Sequence, residues 1–179
     1  MRALIVVESW FGNTRAVAEA IADGLGRFMT VDVREVGDAP ARVASDVDLV
    51  VVGGPTHALG MSRANTRRDA AQQAGVTTGT ERGIREWLAS SPSGIQRAAA
   101  FDTRVYVRWV PKSAVRGILL QLRRLGATLV AGPQSFRVAG TSGPLAPGEL
   151  DRARQWGEQL GTAITAMTTT DRVARAAAD

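Results

Sequence analysis

Residues 3–25 read ALIVVESWFGNTRAVAEAIADGL, and this stretch decides the fold. Ala3 to Val7 is a continuous apolar run rich in β-branched residues, the pattern of a strand buried on both faces of a parallel sheet. Ser9-Trp10-Phe11-Gly12-Asn13 breaks the run. From Thr14 onward Val17, Ile21, Leu25 and Phe28 recur every three or four residues, which is one face of a helix. A buried strand, a short polar turn and an amphipathic helix are the opening of a βαβ unit.

The same alternation continues outward. TVDVREV (30–36) predicts a second strand, and Gly37 to Ala44, with Gly37 and Pro40, a connection. DLVVVGG (48–54) predicts a third strand running into the loop GGPTHALGMSR (53–63). Residues 62–80 are polar and hold several glycines and threonines, so they read as loop. GIREWLAS (83–90) predicts a short helix with Ile84, Trp87 and Leu88 on one side, and AAAFDTRVYV (98–107) a fourth strand. SAVRGILLQLRRLG (113–126) predicts a helix with Val115, Leu119, Leu122 and Leu125 inward. TLVAGPQSFRVAG (128–140) predicts a fifth strand, extended or interrupted after Gly132-Pro133. ELDRARQWGEQLGTAITAM (149–167) predicts a closing helix that presents Leu150, Trp156, Leu160, Ile164 and Met167. Five strands alternating with helices, joined by short right-handed crossovers, predict an α/β three-layer, doubly wound, five-stranded parallel sheet. One domain is expected over residues 1–169, with a flexible tail over 170–179.

Composition narrows the chemistry. The 179 residues carry 45% hydrophobic and 22% charged side chains, in line with a globular chain. No cysteine is present, which excludes disulfides, thiol catalysis and thiolate-held clusters. A single histidine, His57, leaves little for a zinc centre. No apolar run reaches 18 residues and no secretory core follows Met1, so no membrane insertion and a cytoplasmic setting are expected. The net charge of +5 is unevenly spread: between Thr103 and Gly148 there is no acid, while Arg104, Arg108, Lys112, Arg116, Arg123, Arg124 and Arg137 are basic. Without a basic tail or a base-reading motif, this charge argues against nucleic acid. It suits an acidic or anionic partner, or plain solvated charge.

Ser9 to Thr14 lies between the first strand and the first helix, where unpaired N–H groups and the helix dipole receive anions. An ordinary helix cap would use the same residues. Neither GxxxxGK[ST] nor GxGxxG is present, which argues against a nucleoside triphosphate or a dinucleotide on this turn. The loops after the third and fourth strands, GGPTHALGM and FDTR, should lie beside it at the carboxyl edge of the sheet. They offer backbone polar groups and, with Tyr106 and Trp109, aromatic surface for a planar heterocycle. No nucleophile elbow is present.

On these residues the chain resembles the flavodoxin-like family of FMN-binding proteins, over about residues 3–168. VVESWFGNTRAVAEAIADGL, DLVVVGGPTHALGMSR, AAAFDTR and the late block 126–160 carry the resemblance. It implies FMN as cofactor, with phosphate held by Ser9, Gly12, Asn13 and Thr14 and by the Trp10 and Phe11 backbone. Pro55, Thr56, His57, Ala58 and Gly60 would border the flavin ring from one loop, and Phe101, Asp102, Thr103 and Arg104 from the other. The implied function is an oxidoreductase or electron-transfer protein working with a redox protein or a small redox substrate; a flavin-free interaction domain is the alternative. SWFGNT departs from the family's usual SxTGNT, since Phe11 replaces a hydroxyl. The basic sector departs from the acidic electron carriers of the family, and the third loop lacks an obviously matching stacked tyrosine.

Overall fold

A computed structural model describes residues 1–57, 60–76, 79, 81–90, 94–105 and 113–176. Strands β1 (Arg2–Val7), β2 (Thr30–Glu35), β3 (Leu49–Pro55) and β4 (Arg97–Val105) pair in parallel in the order β2-β1-β3-β4. Two short segments, β5 (Thr128–Leu129) and β6 (Gln134–Val138), both pair in parallel with β4, at its beginning and its end. They form one edge strand interrupted at residues 130–133, so the sheet has five strand positions. The expected doubly wound architecture is the one observed.

The apolar runs explain the order. β1 and β3 are almost wholly buried, as strands in the middle of a parallel sheet must be, whereas β2 is half-exposed at the edge. One face of the sheet is covered by α1 (Asn13–Leu25) and α5 (Glu149–Ala176). Val17, Ile21 and Leu25 meet Trp156, Leu160 and Ile164 there, over Ile5, Val51 and Phe101. The other face is covered by α3 (Ile84–Ser90) and α4 (Ala114–Arg124), which follow α2 (Ala64–Ala74) in the chain, with Trp87, Leu88, Ile118 and Leu122 over Leu4, Val6, Val50 and Val52. Among the described residues, no helix is long and apolar enough to cross a membrane.

Several expectations are corrected. Residues 64–74 are not loop but helix α2, whose inward side is Arg67, Ala70 and Ala71; with a buried arginine and two alanines it shows no apolar periodicity. Gly53 and Gly54 belong to strand β3, within the strand expected over 48–54, and Pro55 extends it. Leu150 is exposed, and Ala153 takes the inward position one turn earlier than Trp156. The closing helix, expected over 149–167, continues to Ala176.

Candidate functional site

Parallel strands all point the same way, so the carboxyl ends of β1, β3 and β4 emerge on one edge. Because β2 and β3 flank β1 on opposite sides, the chain reverses direction of winding there and opens a crevice. A cleft of about 360 Å³ occupies that crevice, within the roughly 300–1,000 Å³ of small-molecule sites. Trp10, Phe11, Asn13 and Thr14 line it from the first loop, Pro55, Thr56 and His57 from the end of β3, and Thr103, Arg104 and Val105 from the end of β4. Nine of the residues expected from sequence therefore converge. Arg104 is the single cationic side chain among the described lining residues, and Asp69 the single acidic one.

The turn into α1 is built for donors. Gly12 is the N-cap, with φ +81° and ψ −18°, a left-handed conformation that glycine adopts without steric cost, and no side chain caps the helix from this position. Among the described residues, none of the backbone N–H groups from Trp10 to Thr14 donates a hydrogen bond; the first helical bond is Ala16 N–H to the Gly12 carbonyl, 2.9 Å. The polar side chains of the same turn also make hydrogen bonds to other parts of the chain. The Ser9 hydroxyl accepts from Arg15 N–H at 3.2 Å. The Asn13 side-chain amide donates to the Ser142 carbonyl at 3.0 Å. Thr14 and Thr103 share a buried hydroxyl–hydroxyl bond of 2.7 Å. Five successive backbone donors, with no carboxylate between Ser9 and Thr14, are chemistry that suits a phosphate. The donor set thus fits a phosphorylated cofactor through its backbone, and the Ser9 hydroxyl, which only accepts from Arg15 N–H, keeps its own proton to donate.

The other expected residues have other places. Asp102 is buried and caps α4: its Oδ2 accepts from Thr56 Oγ1 (2.8 Å) and from Val115 N–H (3.1 Å). Thr56 Oγ1 in turn accepts from Ala114 N–H at 2.9 Å, so this pair ties the end of β3 to the start of α4. Asp102 Oδ1 is buried with no hydrogen-bond partner. Phe101 is not at the cleft: it points to the opposite face of the sheet and packs edge-on with Phe136 and Trp156. Neither Ser9, Gly12 nor Gly60 lines the cleft itself. Gly60 exchanges two backbone hydrogen bonds with His57, at 2.9 and 3.0 Å. Ala58 lies outside the described residues, as do Tyr106, Arg108, Trp109 and Lys112. Burial holds the His57 imidazole below the ordinary histidine range; the nearby Glu8 charge opposes that shift and Arg67 adds to it.

Sequence reading missed one whole wall. Thr66, Asp69, Ala70 and Gln73 of α2 line the cleft, with Val138 and Thr141 after β6. The spacing of 66, 69, 70 and 73 is a helical face, and it was the signal available. Among the described residues there is no group of three or more His, Asp or Glu that could hold a metal.

No protein-family model matches the sequence, and no curated protein matches it. Solved structures do match in shape. A flavodoxin from the domain Archaea superposes with a TM-score of 0.61 at 20% identity, over 92% of this chain and 99% of that one. Oxidised flavodoxin 2 from Bacillus cereus gives 0.65 at 17% identity, over 90% and 99%. The flavodoxin, WrbA-like protein from Agrobacterium tumefaciens gives 0.59 at 17% identity, over 92% and 97%. The likeness is one of fold: this chain has the flavodoxin-like fold.

Proposed function

We propose that the cleft binds FMN and that the protein is a flavin-dependent oxidoreductase or electron carrier of the cytoplasm. The observation that supports this most strongly is the run of uncommitted backbone N–H groups from Trp10 to Thr14, at the N-terminus of α1 and at the switch point of a parallel sheet. In this reading those groups hold the phosphate. Pro55, Thr56 and His57 border the ring from one side, and Thr103 and Arg104 from the other. FMN, when bound, supplies the reversible uptake of electrons. The chain sets the field: Arg104 places a positive charge on the cleft, which favours added negative charge there. His57, neutral at pH 7, adds none. The same arginine marks the side at which an acidic redox protein or an anionic redox substrate would arrive.

A flavin-free interaction domain is the second reading. It is favoured by the internal hydrogen bonds that engage the Asn13 amide and the Thr14 hydroxyl.

Two variants at Gly12 separate the readings. Asp and Asn both tolerate the left-handed backbone better than other side chains do, and a Cβ at this position meets nothing within 4 Å. Only Asp brings charge. Gly12→Asp is expected to weaken FMN at least about tenfold beyond Gly12→Asn, with riboflavin, which has no phosphate, affected alike by both. Equal FMN affinities for the two variants would remove the phosphate from this turn.

A further inference from the structure

We propose that the Trp10 indole is the aromatic face on which the flavin ring rests, and that Glu8 is the positioning residue that fixes it. The proposal rests on the FMN reading above. Glu8 follows the end of β1 and is only 3% exposed. Its two carboxylate oxygens face different ways: Oε2 accepts from Ile84 N–H, the first residue of α3, at 3.0 Å, and Oε1 accepts from the Trp10 indole N–H at 3.0 Å. A Cβ on Gly83 would lie 2.7 Å from both Glu8 Oε2 and a guanidinium nitrogen of Arg67, so this carboxylate sits in a crowded place beside the Arg67 side chain. Arg67 is itself fully buried and paired with Glu86 at 3.1 Å.

Burying a carboxylate is costly unless it is hydrogen-bonded and near opposite charge. Here one of its bonds goes to a side chain that lines the cleft. The consequence falls on Trp10. Its only polar group is satisfied toward the interior, its ring is partly exposed in the cleft, and the bond fixes the plane of the ring before any ligand arrives. Phe11, also at the cleft, has no polar group through which it could be so anchored. A planar, electron-poor ring gains most from a rigid, electron-rich aromatic surface, and an indole held by its own N–H supplies one.

The tether is read first in the flavin-free protein. The Trp10 indole N–H resonance, assigned by its loss in Trp10→Phe, is expected downfield of an indole N–H bonded only to water, and Glu8→Gln is expected to move it upfield. Ring contact is read by riboflavin. Trp10→Leu is expected to weaken riboflavin and FMN by the same factor, on the order of tenfold, because both share the ring. Trp10→Phe keeps an aromatic ring without the tether and is expected to fall between wild type and Trp10→Leu; it carries the test if Glu8→Gln does not fold. If the wild-type protein binds both flavins while Trp10→Leu binds riboflavin within twofold as well, the proposal is overturned and the FMN site stands. If the wild type binds neither flavin, the FMN reading falls and takes the proposal with it.

Discussion

The side-chain oxygens of Thr14 and Thr103 lie 2.7 Å apart in a buried hydrogen bond that joins the first turn of α1 to the end of β4. Two of the three loops that frame the cleft are therefore locked together by a pair of hydroxyls. Replacing one by the isosteric valine strands the other, at about 1–3 kcal/mol. Thr14→Val and Thr103→Val are each expected to lower stability in urea by that amount. The double variant is expected to be less destabilised than the sum of the two. Additive losses would show that the hydroxyls do not act as a pair.

Gly53 and Gly54 are neighbours in β3 with opposite surroundings. A Cβ on Gly53 would collide with the Phe101 ring, whereas one on Gly54 would meet Ile84 and Glu8 at ordinary distances of 3.6 and 3.9 Å. Gly53→Ala is expected to cost at least about 1–3 kcal/mol. It should also alter Trp156 fluorescence, because Phe101 packs edge-on against that indole, centroids 6.4 Å apart. Gly54→Ala is expected to stay within about 1 kcal/mol of wild type. Urea unfolding monitored by fluorescence compares the two.

What the sequence made legible follows from burial. Ala3–Val7 and Leu49–Val52 are apolar on both faces because they occupy the middle of the sheet, and that pattern alone places the cleft at their carboxyl ends. Helix α2 was illegible for the converse reason: it turns Arg67 inward, and no apolar stripe marks a helix whose buried side is an arginine and two alanines. The cleft wall of Thr66, Asp69, Ala70 and Gln73 was hidden with it. Phe101 and Asp102, expected beside the ring with Thr103 and Arg104, face opposite ways along β4: Phe101 packs against Phe136 and Trp156 and Asp102 turns to the start of α4, so neither lines the cleft.

His57 sets a pH dependence whose direction follows from burial. Its native pKa lies below the ordinary 6.5, so below that pH the unfolded chain binds the proton more readily than the native one. The stability linked to this group is complete above about pH 6.5 and is lost as the pH falls from there toward the native value. As the chain has one histidine, its imidazole resonance can be titrated without ambiguity, with a midpoint expected below 6.5. His57→Gln is expected to flatten the fall in stability over the same window. A midpoint above 6.5 would contradict the burial seen here.

Arg104 is the described cation on the cleft, so charge steering should pass through it. With an acidic redox protein as electron donor, Arg104→Gln is expected to slow bimolecular reduction by about two- to fivefold at low ionic strength. The difference should vanish as salt rises from about 20 to about 300 mM, where screening shortens the reach of the charge. Stopped-flow traces at several salt concentrations make the comparison. Equal rates at every salt would place the productive encounter elsewhere.

The most direct test of the central claim is a titration of the apo protein with FMN, followed by the flavin's fluorescence and by calorimetry, after confirming the fold by circular dichroism. Saturable binding with one FMN per chain at micromolar protein is the expected result, with inorganic phosphate competing for the turn from Trp10 to Thr14. A folded protein that shows no saturable FMN binding at these concentrations would contradict it.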